Sequence, residues 1–432
     1  MFTDTLCFRI LQGMAILFAL DGGCLLLAPG FQVAKYLFFL VLLGIVVVAA
    51  MTTLSLTVRP VFPLGFLILA AIGMLSFFVL RVGTAGESYA SALLPMLLVG
   101  LAAFLPSDRS GVDFDRLTRF FLTCTVVFTA TQVAAQILMA FWPFVDPTWF
   151  ENRVHEKMAT AAYGFALAVL MGRWRLVLLF GGLIGIALAL RASSTLAAAL
   201  VLGGALALAL RYGAVRLAVA AGVAVLIALA AFPLVYLAEP ESATLLFGIE
   251  PFVKEQVLGA HSNTDFRLKI LQLAREEFLG LPLLTGHAFL GSPNVHVGSV
   301  IPDWAPPDAE NLGLYAPIHS DFFLLLWEGG LVGYALAIGT AASMVACFLR
   351  SARLARARGD TAAEVYFQAG FIQLVVISVY ISFNPIMTRY SIMYFVWLSV
   401  LMGGIGARQL RQAVGRTAAP CGGRLLPKGV LQ

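Results

Sequence analysis

Charge and cysteine are both scarce in this chain. Only 12% of the 432 residues are charged, and only five are cysteine. Cys7, Cys24, Cys124 and Cys347 fall in or beside apolar runs and Cys421 falls in a basic tail, with no Cys-x-x-Cys pair, which excludes a disulfide framework and a cysteine metal site. The five histidines show no His-x-His or His-x-x-x-His spacing, so no metal centre is expected. No internal repeat is visible, and the matched pair of interrupted helices expected of a two-fold transporter is missing. The single Asp-x-Asp pair is Asp113 and Asp115.

Apolar residues fill the space that charge leaves. With 60% hydrophobic residues and a mean hydropathy of +0.92, the chain reads as one integral membrane domain over 1–432, not as a soluble enzyme. Runs long enough to cross a bilayer, roughly 17–25 residues each, are expected near 8–28, 36–56, 61–80, 89–105, 117–142, 158–172, 174–190, 193–210, 215–237, 317–349, 363–385 and 390–407. The expected fold is therefore all-α, with about 12 transmembrane helices. The first run holds Asp21 and no cleavage signal, so it reads as a retained span.

Basic residues orient the spans. If the N-terminus is cytoplasmic, so is the C-terminus, and 18 of the 28 lysines and arginines face the cytoplasm, in agreement with the positive-inside bias. Asp113 and Asp115 then face the cytoplasm too. The net charge of +5 needs no nucleic acid as a partner, because a basic fringe against anionic membrane lipid accounts for it.

Two segments on the opposite face are long enough to carry a site: 143–157, and a large loop at 238–316 between the ninth and tenth spans. In the large loop, Thr264–Phe278 has apolar residues at helical spacing and polar caps at its start, which predicts an amphipathic helix with Arg267 in its first turn, where free N–H groups favour an anion. The stretch from Gly280 to Pro307 is rich in glycine and proline and reads as irregular. Arg191 follows the seventh span directly, in a turn too short to carry it far from the membrane surface.

His319 opens the tenth span. It is followed by Ser320, nine residues, Gly330, two residues and Gly333. Eleven helical steps of about 100° return to about 20° from the start, so in a continuous helix Gly330 shares the stripe of His319. Gly329 and Gly333 form a Gly-x-x-x-Gly pair, so this face should admit another backbone or a lipid closely. Arg389, beside Asn384-Pro385, and Arg81, Lys35, Tyr315, Asn311 and Ser320 are weaker candidates for substrate contact.

The His-Ser-x9-Gly-x-x-Gly pattern, with an arginine after a mid-chain span and another in a helix of a large outer loop, resembles the O-antigen ligases of the O-antigen ligase and polymerase family. The resemblance covers roughly 160–400. It includes Leu281-Pro282-Leu283-Leu284-Thr285-Gly286-His287, which is similar to a Pro-Leu-x-Gly-x-Gly stretch but holds His287 where glycine is common. The resemblance implies a fold like that of the C-type glycosyltransferases. It also implies metal-independent, inverting transfer at the periplasmic face of a bacterial inner membrane. The donor would be a glycan on undecaprenyl diphosphate and the acceptor a sugar hydroxyl of the lipid A core, in lipopolysaccharide biosynthesis. His319 suits a general base, and Arg191 and Arg267 suit the charge of a diphosphate leaving group. No cofactor is expected. A polymerase using the same donor class, and a lipid or polysaccharide transporter, are the alternative readings.

Overall fold

The computed structural model describes residues 44, 113–141, 161–190, 194–241, 260–287, 294–296, 315–318, 320–382 and 410. Of these, 87% are helical. The expected runs before residue 112, and those beyond 382, lie outside the described residues, single positions aside.

The described helices are α1 (Phe114–Phe141), α2 (Ala161–Leu170), α3 (Trp174–Leu190), α4 (Ser194–Arg211), α5 (Val215–Ala238), α6 (Ala260–Leu279), α7 (Asp321–Arg358) and α8 (Thr361–Ile381). Three of them, α5, α7 and α8, are long and apolar enough to cross a membrane.

Helix α8 is the centre of the packing. It contacts α7, α4, α5 and α1, and 67% of its apolar window is buried against 28% for α5 and 33% for α7. Small residues on its neighbours admit it: a Cβ at Gly203 would meet Val376 at 2.8 Å, and one at Gly222 would meet Phe371 at 2.5 Å. Around its start, Phe114, Phe121, Tyr163, Tyr366 and Phe367 pack ring against ring at centroid separations of 5.3–6.0 Å. The hairpin from α7 to α8 turns at Gly359-Asp360, where the Asp360 carboxylate accepts from Ala363 N at 3.0 Å. Across the turn, Arg356 Nε donates to Glu364 at 2.7 Å.

The tenth span departs from the expected continuous helix. Within α7, Gly330 has φ 58° and ψ −165°, so the helix breaks there and the phase relation between His319 and Gly330 does not carry across it. The close approach expected of the glycine face is nevertheless present, made by a loop and not by another helix. Segment 281–287 enters the break. Leu331 N donates to Leu283 O at 3.0 Å, Val332 N donates to Leu284 O at 3.1 Å, and His287 N donates to Trp327 O at 3.2 Å. Backbone groups that a broken helix leaves open in an apolar setting cost several kcal/mol each, so a break survives only where other protein groups satisfy them.

Two glycines face one another at this contact. Gly286 has φ +53°, and a Cβ there would strike Trp327 O and come within 2.8 Å of Gly330 N. A Cβ on Gly330 would run into the carbonyl of Leu284 and approach Thr285 N at 2.5 Å. Both the left-handed backbone and the lack of space require glycine.

The large loop is more regular than its composition suggests. Asn294–His296 (β1) pairs antiparallel with Tyr315–Pro317 (β2), with His296 opposite Tyr315, so the stretch from Gly280 to Pro307 read as irregular contains one strand of a two-stranded ribbon. Helix α6 packs against β1 and against α7. It begins at Ala260, earlier than the capping residues predicted. Ser262, Asn263 and Thr264 are inside it, because capping preference is a weak local term that tertiary contacts override.

The break makes a direct prediction. Gly330→Ala should lower stability by about 1–3 kcal/mol through strain and lost loop contacts. Gly339→Ala, in the same helix with nothing within 4 Å of the added methyl, should be neutral or slightly stabilising. Thermal unfolding of the two variants in detergent checks this.

Candidate functional site

The candidate site is assembled where the ribbon, α6 and the start of α7 meet. Strand β2 ends at Pro317, and Ile318 is fully buried. Ser320 then caps α7, its hydroxyl accepting from Phe323 N at 3.3 Å. Ser320 thus has a structural task at the helix start. His319 stands in sequence between these two buried residues and lies outside the described residues, as do Arg191, Arg389 and Arg81. Tyr315 is placed by its backbone, opposite His296. The sequence position of Arg191 is bounded by the end of α3 at Leu190 and the start of α4 at Ser194.

Arg267 lies eight residues into α6, not in its first turn. Free N–H groups therefore do not assist it in binding an anion, since that effect fades beyond the first turn. A different property emerges. The Nε of Arg267 is shut off from solvent, and desolvation pushes the guanidinium down from its ordinary pKa, partly opposed by Tyr380 of α8. An arginine retains its charge through such a shift. The inner nitrogen of a half-buried cation is thus placed at a junction between the loop helix and the membrane helices.

Helix α6 is tied to that junction by a second arginine. Arg275 Nε donates to Leu237 O at 2.9 Å, capping the last turn of α5. At its C-terminal end, α6 presents Glu277, whose carboxylate lies 3.4 Å from Nε2 of His287.

Two acidic residues went unnoticed in the sequence. Asp321 and Glu328 are 0% and 1% exposed, inside a helix apolar enough to span a membrane. Seven residues apart, they share one stripe of the N-terminal half of α7, which Gly330 ends. Both engage other groups. Ionisable residues buried in such a helix are costly and mark functional positions. The signal was available: an i, i+7 carboxylate pair in the run Asp321-Phe-Phe-Leu-Leu-Leu-Trp-Glu328, directly after His319-Ser320.

The Asp-x-Asp pair has local structural uses. Asp113 accepts from Arg116 N at 3.0 Å at the start of α1, and Asp115 pairs with Arg119 one turn on. Among the described residues, no three His, Cys, Asp or Glu side chains group as metal ligands would. The glycines Gly329, Gly330 and Gly333 are all buried, at the break and just past it.

Compared with known proteins, the chain matches no family model, and no curated protein matches it.

Arg275→Met keeps the aliphatic stem but removes the donor to Leu237 O. It should cost about 1 kcal/mol, and hydrogen exchange should report faster opening of α6 than in the wild type.

Proposed function

We propose that this protein is an O-antigen ligase, a membrane glycosyltransferase of about 12 spans that moves a glycan from undecaprenyl diphosphate to a lipid A core sugar at the periplasmic face of the inner membrane. The observation that carries the reading is the agreement between the motif and the architecture around it. The serine of His319-Ser320 caps α7, and the first glycine of Gly-x-x-Gly, Gly330, breaks it. The motif residues therefore delimit a separate half-helix that starts directly after the histidine.

In the proposed reaction, the acceptor hydroxyl attacks the anomeric carbon of the donor and displaces the diphosphate. His319 removes the hydroxyl proton, and Arg191 and Arg267 stabilise the charge that builds on the departing phosphate oxygen. A guanidinium that is already desolvated interacts more strongly with that charge than one in bulk water. A single displacement inverts the anomeric configuration. The positively charged groups in this scheme are side chains, so divalent metal is not required. Arg389 and Arg81 are further diphosphate or sugar contacts in this reading.

A polymerase would use the same donor and residues, with a second lipid-linked repeat as acceptor. Cells lacking the protein separate the two: loss of a ligase leaves long unattached glycan, while loss of a polymerase leaves single repeats on the core. A transporter would move its cargo without forming a bond.

Purified full-length protein should transfer glycan to lipid A core in EDTA, and His319→Ala should reduce the rate by about 10²-fold or more. Undiminished transfer by the variant removes His319 as base. Absence of transfer by the wild type to core, with elongation of lipid-linked repeats instead, favours the polymerase.

A further inference from the structure

The loop that enters the helix break carries a titratable residue at its tip. His287 is the last residue of 281–287, and its backbone N donates to Trp327 O just ahead of Gly330. Its ring lies over the Trp327 indole, with centroids 4.0 Å apart and planes at 51°. Its Nε2 lies 3.4 Å from Glu277 of α6. Three separate elements, the loop, α6 and α7, are thus joined through one side chain. Trp327 is 1% exposed, and its indole N–H has no acceptor among the described residues. Its orientation therefore depends on packing, in which His287 is a major contact.

We propose that His287 is a positioning residue: set beside Glu277 and packed on Trp327, it holds the loop in the break of α7 and so fixes the direction of the half-helix that follows His319. The assignment of this half-helix to catalysis rests on the transferase reading, whereas the latch itself does not.

The latch responds to pH. Burial lowers the pKa of His287 from its ordinary value, and Glu277 only partly offsets this. The folded latch therefore prefers the neutral ring. Its contribution is complete above the ordinary imidazole value of about 6.5 and is lost as the pH falls below it. The groups around the ring are few. Helix α6 supplies Glu277, while Glu276 on the same helix is held by Gln272 and Arg275 by Leu237 O. Helix α7 supplies Trp327 and, next in sequence, the buried Glu328. The rest of the loop, Leu281-Pro282-Leu283-Leu284-Thr285-Gly286, contains no titratable side chain.

Opening of the latch would free the amides of Leu331 and Val332, which donate to the loop. Hydrogen exchange over 327–334 in the purified full-length protein, compared as protection factors at about pH 5.5 and about pH 7.5, brackets the ordinary imidazole value. The wild type should lose about tenfold protection at the lower pH. His287→Gln, which keeps a donor toward Glu277 but cannot titrate, should show no such loss. Glu277→Gln removes the charge that favours the protonated ring, so its loss of protection should begin at the same pH, be at least as large as the wild type's at the lower pH, and extend further into acid. In glycan transfer, kcat of the wild type should fall more steeply with acid than that of His287→Gln, at similar KM. Equal wild-type protection at both pH values, or an equal acid loss in His287→Gln, overturns the proposal. A wild type that shows the exchange behaviour but no transfer overturns the transferase reading and leaves the latch standing.

Discussion

The first part of α7 is set against the loop by three backbone hydrogen bonds between 281–287 and the break at Gly330. A helix in an apolar setting normally satisfies its own amides and carbonyls, and that requirement holds it straight. Here Gly330 leaves the helical region, and the amides of Leu331 and Val332 turn to the carbonyls of Leu283 and Leu284. The break needs the loop to satisfy it, and the loop needs the break to receive it. Gly286 and Gly330 make the fit possible because neither carries a Cβ that would collide with the opposing backbone.

This arrangement places an unusual density of charge near one half-helix. Asp321 and Glu328 are buried along it, Arg267 is half-buried on the helix that packs against α7, and Glu277 faces His287 at the end of that helix. Elsewhere, charged groups of the described chain lie toward helix ends, as with Arg119, Arg356 and Glu364. On the transferase reading, the concentration has a purpose: charge that develops on a leaving diphosphate is stabilised best by groups fixed beforehand in a poorly solvated place. The link from Arg275 to the end of α5 and the hydrogen bond from Tyr334 to Ala230 O, at 2.5 Å, join the loop helix and α7 to the same neighbour, so α6 and α7 share a common support.

Apolar helices among the described residues were legible because apolar composition and length suffice to place them. The run expected at 215–237 forms Val215–Ala238, and that at 193–210 forms Ser194–Arg211. The outer elements were less legible. The start of α6 was placed too late because four consecutive capping residues offered a plausible start that the fold does not use. The ribbon of β1 and β2 escaped notice because its strands are three residues each and 18 residues separate His296 from Tyr315, with no periodicity to reveal them.

Sequence by itself determined that this is a largely apolar helical protein, where its apolar runs lie, and which histidine motif stands at the head of the tenth run. Those properties follow from local composition and spacing. Tertiary structure alone decided that the tenth run is two half-helices, that Ser320 is a cap, that Arg267 is half-buried well inside its helix, and that His287 bridges three elements. The break and the bridge depend on which distant backbone fills the gap at Gly330, and a partner some 45 residues away in the chain leaves no mark on the periodicity of either segment.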